Sequence, residues 1–205
     1  MATTDTTAAP EPGRGPGAVL LAGQGALGEL PLWAQVLVAA RMLQRAALAM
    51  QAELPEALHA LIERVVAAMQ DCAREGGQVH RRQALFDEAM AQRDAPVAAA
   101  TAPLRGLLWY AVDATRAADA AQDFPIDATV AQSTLAAVRA LAADARVTPL
   151  QLLVLMAGDI DQLRYACDEA RVDRYAALPQ AVFLRLAPVH ALTLCAPPRE
   201  EPSWR

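Results

Sequence analysis

The stretch that decides the fold is Thr148–Tyr175, TPLQLLVLMAGDIDQLRYACDEARVDRY. Its apolar residues recur every three or four positions, a spacing typical of one buried helix face rather than of a strand. Thr148 followed by Pro149 is a helix start signal, because threonine can cap the free backbone N–H groups and proline fits the first helical position. The stretch therefore predicts a long amphipathic helix.

Apolar residues at helical spacing also occur in the rest of the chain. Hydrophobic residues make up 55% of the 205 residues and aromatic residues only 4%, because alanine and leucine supply most of the apolar surface. Strand-forming residues are too scattered to give alternating runs. We predict an all-α protein, with helices near 31–53, 55–75, 79–93, 103–121, 126–144, 149–172 and 179–187.

The predicted helices favour a six- or seven-helix bundle that forms a single domain over residues 18–195. A helical-repeat solenoid is the alternative, since several prolines lie about two dozen residues apart. No side-chain pattern recurs between the segments, which favours the bundle. Helix 103–121 is apolar nearly all round its first half and is the candidate central helix. Residues 1–17 are expected to be a disordered tail, and residues 196–205 a proline-rich arm.

Charge and cysteine content exclude several functions. The formal net charge is −5 and no basic cluster exceeds the pair Arg81–Arg82, so nucleic-acid binding lacks its electrostatic basis. No secretory signal and no apolar run of membrane-spanning length is evident. The cysteines Cys72, Cys167 and Cys195 are far apart, without metal-ligand spacing, and are predicted to be buried thiols. A cytoplasmic location is expected.

The stretch 18–33, AVLLAGQGALGELPLW, contains the glycine pattern of a dinucleotide-binding loop. In such a loop a helix begins within the motif, but Pro31 would break a helix at that depth. The region that should supply a second strand is helical by propensity. We therefore expect Gly23, Gly25 and Gly28 to form a flexible lead-in to a helix that begins at Pro31, and no bound nucleotide or other cofactor.

Asp159 is the polar residue that most needs an explanation, because the helical spacing places it on the apolar face of its helix. We favour a helix break at Gly158, with Asp159 as the N-cap of a new helix and Gln162 at the reciprocal capping position. The alternative is a buried Asp159 paired with Arg185, which lies in an apolar stretch together with His190.

The remaining polar residues predict ordinary surface roles. His59 is expected to face water one turn from Glu63, and His80 to lie on a solvated first turn. Asp113 and Arg116 are placed at a helical spacing that allows a local ion pair. No catalytic set and no metal site emerges with a defined spacing.

The sequence therefore favours a non-enzymatic helical domain that binds another protein through its acidic surface or an exposed helix face. A second hypothesis is a small-molecule-binding bundle, in which Trp109, Tyr110, Met156 and Asp159 would line an internal pocket. A third is an enzyme with a site built from isolated acids and His190. The sequence leaves the oligomeric state open.

Overall fold

A computed structural model describes residues 25–93, 101–123 and 127–195. Within these ranges every regular element is helical, which confirms the predicted all-α class. The predicted tails, residues 1–17 and 196–205, lie outside the described residues.

The helices begin where the sequence signals place them. Prolines 31, 55, 103, 149 and 179 each lie within one residue of a helix start. The predicted helix 79–93 is divided, because a short 3-10 helix, Val79–Arg82, leads into the α-helix that follows. The helices described from end to end are α1 (Leu32–Met50), α2 (Glu56–Glu75), α3 (Gln83–Ala91), α4 (Ala102–Ala120), α5 (Asp127–Leu141), α6 (Pro149–Ala170) and α7 (Gln180–Arg185).

The centre of the bundle is α1, and not the helix over 103–121 that the sequence suggested. Helix α1 is buried on almost every side and packs against α2, α4, α5 and α6. Alanines such as Ala39, Ala40 and Ala46 let neighbouring helices approach closely, whereas α4 keeps half-buried polar side chains on one side. Contacts between helices far apart in the chain define a bundle and exclude a solenoid, whose units contact only their neighbours.

The glycine-containing segment before α1 is more ordered than predicted. Residues 25–28 form a helical turn, and Leu27 and Leu30 are completely buried. Arg174 Nη1 donates a hydrogen bond of 2.9 Å to the Gly28 carbonyl. The expectation of a flexible lead-in is thus wrong for the two described glycines, because their leucine neighbours join the core; Gly23 lies outside the described residues.

Helix α2 ends at two consecutive glycines, both with positive φ. Gly76 has φ 71° and Gly77 has φ 130°, and the Gly77 N–H donates a 2.9 Å hydrogen bond back to the Cys72 carbonyl. A Cβ atom at Gly77 would lie only 2.6 Å from Asp119 Oδ1 on α4. The turn therefore requires glycine for both its backbone angle and its space.

We expect Gly77→Ala to lower the free energy of unfolding by about 1–3 kcal/mol, because it combines backbone strain with the clash against Asp119. Gly158→Ala is the matched control. It lies inside α6, where an added Cβ would meet no atom within 4 Å, so it should raise stability by roughly 0.5–1 kcal/mol. Denaturant unfolding of both variants measures the difference, and equal stabilities would contradict this account of the turn.

Candidate functional site

Asp159 lies in the middle of α6, which continues without a break through Gly158. The cap of this helix is Thr148, whose side chain accepts a hydrogen bond from the first turn. Gln162, the predicted capping partner, instead accepts a 3.1 Å hydrogen bond from the Ala187 N–H. The N-cap prediction for Asp159 is therefore wrong. A single glycine is tolerated inside a helix, and a break in α6 at Gly158 would release buried apolar side chains from the core.

The Asp159 carboxylate is 1% exposed and is bound by two arginines one turn apart on α1. Asp159 Oδ1 accepts hydrogen bonds of 2.8 Å from Arg41 Nε and from Arg45 Nη2, and Oδ2 accepts from Arg45 Nη1. Arg185, the partner suggested by the sequence, pairs on the surface with Glu169. Because α6 packs its apolar face on α1, the arginines of that helix reach the carboxylate and Arg185 does not.

This cluster of Arg41, Arg45 and Asp159 also holds the last described segment of the chain. Arg41 Nη2 donates a 3.0 Å hydrogen bond to the Ala187 carbonyl, and the Leu192 N–H donates a 3.3 Å hydrogen bond to the Arg45 carbonyl. Buried charges persist only when they are paired and hydrogen-bonded, as these are. Both carboxylate oxygens are engaged, so the arrangement is suited to fastening elements together rather than to general acid–base chemistry.

Sequence reasoning missed Arg41 and Arg45, although a signal was present. They lie four residues apart in AARMLQRAAL, an otherwise apolar stretch of helix. Like Asp159, they are charged residues at positions where the helical spacing predicts burial. Opposite charges set on apolar faces of two helices are natural partners, provided that the helices pack together.

A second ion cluster, formed by Arg146 with Asp144 and Glu53, stabilises the turn between α5 and α6. Arg146 donates hydrogen bonds to the carboxylates of Asp144, at 2.8 Å and 3.0 Å, and of Glu53, at 2.6 Å and 2.7 Å. The Arg146 hydrogen bonds lower the pKa of Asp144, against the raising effect of its burial. A lowered pKa means that this clamp contributes stability above the ordinary aspartate pKa and loses it as the pH falls. The Cys195 N–H donates a 2.8 Å hydrogen bond to the Arg146 carbonyl.

The aromatic candidates lie apart from Asp159. Trp109 and Tyr110 are half-buried neighbours on α4, with ring centroids 4.8 Å apart and ring planes at 89°. The Arg93 guanidinium lies 4.6 Å from the Trp109 ring centroid. Met156 and Asp159 are buried on α6, which packs mainly against α1 and α7, so these four side chains do not form one cluster.

Two other predicted surface roles are changed by the tertiary contacts. Asp113 Oδ2 accepts a 2.6 Å hydrogen bond from Ser133 Oγ on α5, and Arg116 pairs with Asp87 on α3 at 2.6 Å. The predicted Asp113–Arg116 pair is wrong because partners from neighbouring helices lie closer. His190 is exposed in the extended segment after α7.

A surface groove of about 270 Å³ runs between α1 and α2. His59, expected to face water, forms part of its wall with a side chain only 19% exposed, and its Nδ1 lies 3.8 Å from Glu63 Oε1. The apolar side chains that line the groove are Ala47, Leu48, Ile62, Val66 and Ala67, and the polar ones are Gln44, His59, Glu63 and Gln70.

Helix α6 also presents apolar residues to solvent, on the face opposite its buried one. Leu150 is 70% exposed, Val154 63% and Tyr165 65%, and the intervening Ala157 is exposed as well. These four residues, called the outer row below, follow a spacing of three, four or eight residues and therefore share one side of the helix. The helix thus carries apolar residues on two faces, of which the protein buries one. On the exposed face the ion pair of Asp161 and Arg164 lies between Ala157 and Tyr165.

The cysteine prediction holds for two residues of three. Cys72 and Cys167 are buried free thiols, and burial raises the pKa of each to about 11. Cys195 is exposed, because the last described segment lies on the surface beside Arg146. The error arises because position in a sequence does not reveal which segments cover the core and which lie outside it.

No family model, curated protein or solved structure matches the chain. In the described ranges, no group of three histidine, cysteine or acidic side chains is arranged to hold a metal ion. None of the described helices has both the length and the apolar character needed to cross a membrane. Function must therefore be inferred from the geometry of the surface.

We expect Asp159→Asn to lower the free energy of unfolding by about 3–5 kcal/mol, because it leaves two buried guanidinium groups without a counter-charge. Asp161→Asn is the control, because Asp161 is an exposed carboxylate on the same helix. It should change the free energy of unfolding by less than about 0.5 kcal/mol. Denaturant unfolding measures both. A triple variant, Arg41→Met with Arg45→Met and Asp159→Leu, removes all three charges and should recover much of the stability that Asp159→Asn loses. A triple variant less stable than Asp159→Asn would refute the buried-charge explanation.

Thiol labelling should distinguish the cysteines. In the folded protein near pH 8, iodoacetamide should modify Cys195 quickly and Cys72 and Cys167 much more slowly, since burial blocks access and their raised pKa leaves little thiolate. Peptide mass spectrometry after timed labelling gives the three rates. The chain unfolded in guanidinium is the control, in which all three should react; equal rates in the folded protein would contradict the assigned burial.

Proposed function

We propose that this protein is a non-enzymatic, cytoplasmic interaction domain that binds another protein through the outer row of α6. The observation that carries the proposal is the exposure of Leu150, Val154 and Tyr165 along one side of a single helix. Isolated exposed apolar residues are common, but an apolar face of this kind, aligned on one element, is typical of a binding surface.

The spacing of the outer row suggests how the partner binds. Leu150, Val154 and Ala157 fall at intervals of four and three residues, which is the pattern read by proteins that receive a helix in an apolar groove. Tyr165 extends the row by two turns and offers a large apolar ring with a polar end, a combination frequent in interface centres. The proposed partner therefore carries an apolar groove at least four helical turns long.

The attachment of α6 to the bundle supports this function. The opposite face of the helix is buried, and Asp159 fixes it to Arg41 and Arg45 of α1. A helix held in this way is already in its binding conformation, so little ordering entropy opposes association. A loose helix with the same outer row would bind more weakly.

The charges of the protein favour a protein partner over a nucleic acid. The formal net charge is −5, and the side of α6 that carries the outer row bears an acid and a base, Asp161 and Arg164, paired at 3.7 Å rather than a cluster of positive charge. A phosphate backbone requires clustered positive charge, whereas a protein groove requires apolar contact. The free buried thiols of Cys72 and Cys167 are consistent with a reducing compartment, which supports the cytoplasmic location.

The two alternative functions from the sequence have less support. An internal small-molecule pocket would need Trp109 and Tyr110 beside Met156 and Asp159, but these pairs lie on α4 and α6, which both pack on α1 and not extensively on each other. An enzyme built around His190 would need a second catalytic group at a site protected from water, but His190 is exposed.

Replacing Val154 with glutamate should abolish partner binding without unfolding the protein, because the side chain is already exposed and the charge would enter the apolar contact. The measurement is affinity capture from a cell lysate on three immobilised proteins: the parent chain, Leu150→Glu and Val154→Glu. Quantitative mass spectrometry gives the amount of each lysate protein that they retain. A true partner should be retained at least roughly ten-fold less by both variants.

Leu184→Glu is the matched control, since Leu184 is a similarly exposed leucine on α7, outside the outer row. It should retain the partner like the parent chain. Light scattering of the four proteins over a range of concentrations tests whether the partner is a second copy. Proteins captured equally by the parent, Val154→Glu and Leu184→Glu would overturn the proposed surface.

A further inference from the structure

The groove between α1 and α2 goes beyond the proposed function, because it lies away from the outer row of α6. Its apolar lining includes the buried Ile62 and Val66 and the exposed Leu48, and its polar lining is Gln44, His59, Glu63 and Gln70. A concave apolar surface with a few converging polar groups is the usual form of a small-molecule site. Its volume of about 270 Å³ is below that of most drug-sized sites, so the ligand must be small.

The polar groups of the groove are open to a ligand. Gln44 and Gln70 have no side-chain hydrogen-bond partner among the described residues, and Glu63 has only His59, at 3.8 Å. By contrast, Arg146 binds both carboxylates near it directly. The groove thus offers amide groups and a carboxylate that are available to a ligand.

The charge of the lining selects the ligand class. No arginine lies among the described residues that line the groove, and Glu63 is the acid at its rim. His59, whose Nδ1 lies 3.8 Å from Glu63 Oε1, is the one basic side chain in the described lining. An anionic ligand would meet the like charge of Glu63, whereas a cationic group would find a carboxylate flanked by amide oxygens. An apolar body attached to that cation would cover Ile62 and Val66.

We infer that this groove binds a small primary amine with an apolar body. The ammonium group is held at Glu63 and can donate to the amide oxygen of Gln44 or Gln70. The apolar body lies on Leu48, Ile62 and Val66, and this contact supplies most of the affinity because the rim carboxylate is well exposed and its attraction is screened.

The test is a titration of the full chain with hexylamine, hexanol and hexanoate, followed by calorimetry or by NMR shifts of α2 amides. Hexylamine should bind with the highest affinity and hexanoate with the lowest. Glu63→Gln should weaken hexylamine binding by roughly five-fold and leave hexanol binding unchanged. Glu56→Gln is the matched control, because Glu56 is an exposed carboxylate on α2 outside the groove.

A second pair of variants tests the location. Ala67→Leu should fill the groove and abolish binding of both hexylamine and hexanol, whereas Ala60→Leu, at an exposed alanine of the same helix outside the groove, should leave binding unchanged. Circular dichroism confirms that each variant is folded.

Several results would overturn the inference. They are the absence of hexylamine binding at millimolar concentration, equal affinity for all three probes, and undiminished binding to Ala67→Leu. A lysine side chain could supply the same ammonium group, so Nα-acetyl-lysine methylamide is titrated as well. If it binds more tightly than hexylamine, the occupant is a protein lysine and not a free small amine.

Discussion

The pairing of Asp159 with Arg41 and Arg45 is the interaction that holds α6 and the segment after α7 to the central helix α1. It joins the middle of α6 to the central helix α1, and the same arginines hold the segment that follows α7 through the Ala187 carbonyl and the Leu192 N–H. A buried carboxylate without these partners would be strongly unfavourable, so the register of α6 along α1 is fixed by charge as well as by packing. Apolar contacts alone would tolerate sliding much better.

This constraint has a consequence for the surface. Helix α6 carries large apolar residues on two faces, and the ion cluster determines which of these faces enters the core. A two-faced apolar helix could otherwise rotate to bury Leu150 and Val154. With Asp159 held by α1, those residues remain exposed, and the outer row becomes a stable feature of the folded protein. The proposed binding surface thus follows from the position of one buried carboxylate.

The groove between α1 and α2 arises from a different feature of the sequence. Ala47 and Ala67 are small residues in its lining, and larger side chains there would close the space. His59 was expected to face water, but the side of α2 that carries His59, Glu63 and Gln70 borders the groove. Amphipathic spacing places a residue on a side of its helix, but it does not show whether a neighbouring helix stands beside that side.

The sequence by itself determined the local elements of this protein: the all-helical class, the helix starts at proline, and the conflict between the charge of Asp159 and its apolar surroundings. These depend on interactions within a few residues, which propensity and spacing capture. Only the tertiary structure decided that α1 is the central helix, that Asp159 pairs with Arg41 and Arg45, and that Arg185, Asp113 and Arg116 have other partners. Those outcomes depend on which helices pack together, and a charged side chain binds whichever opposite charge the packing brings within reach, however far away it lies in the chain.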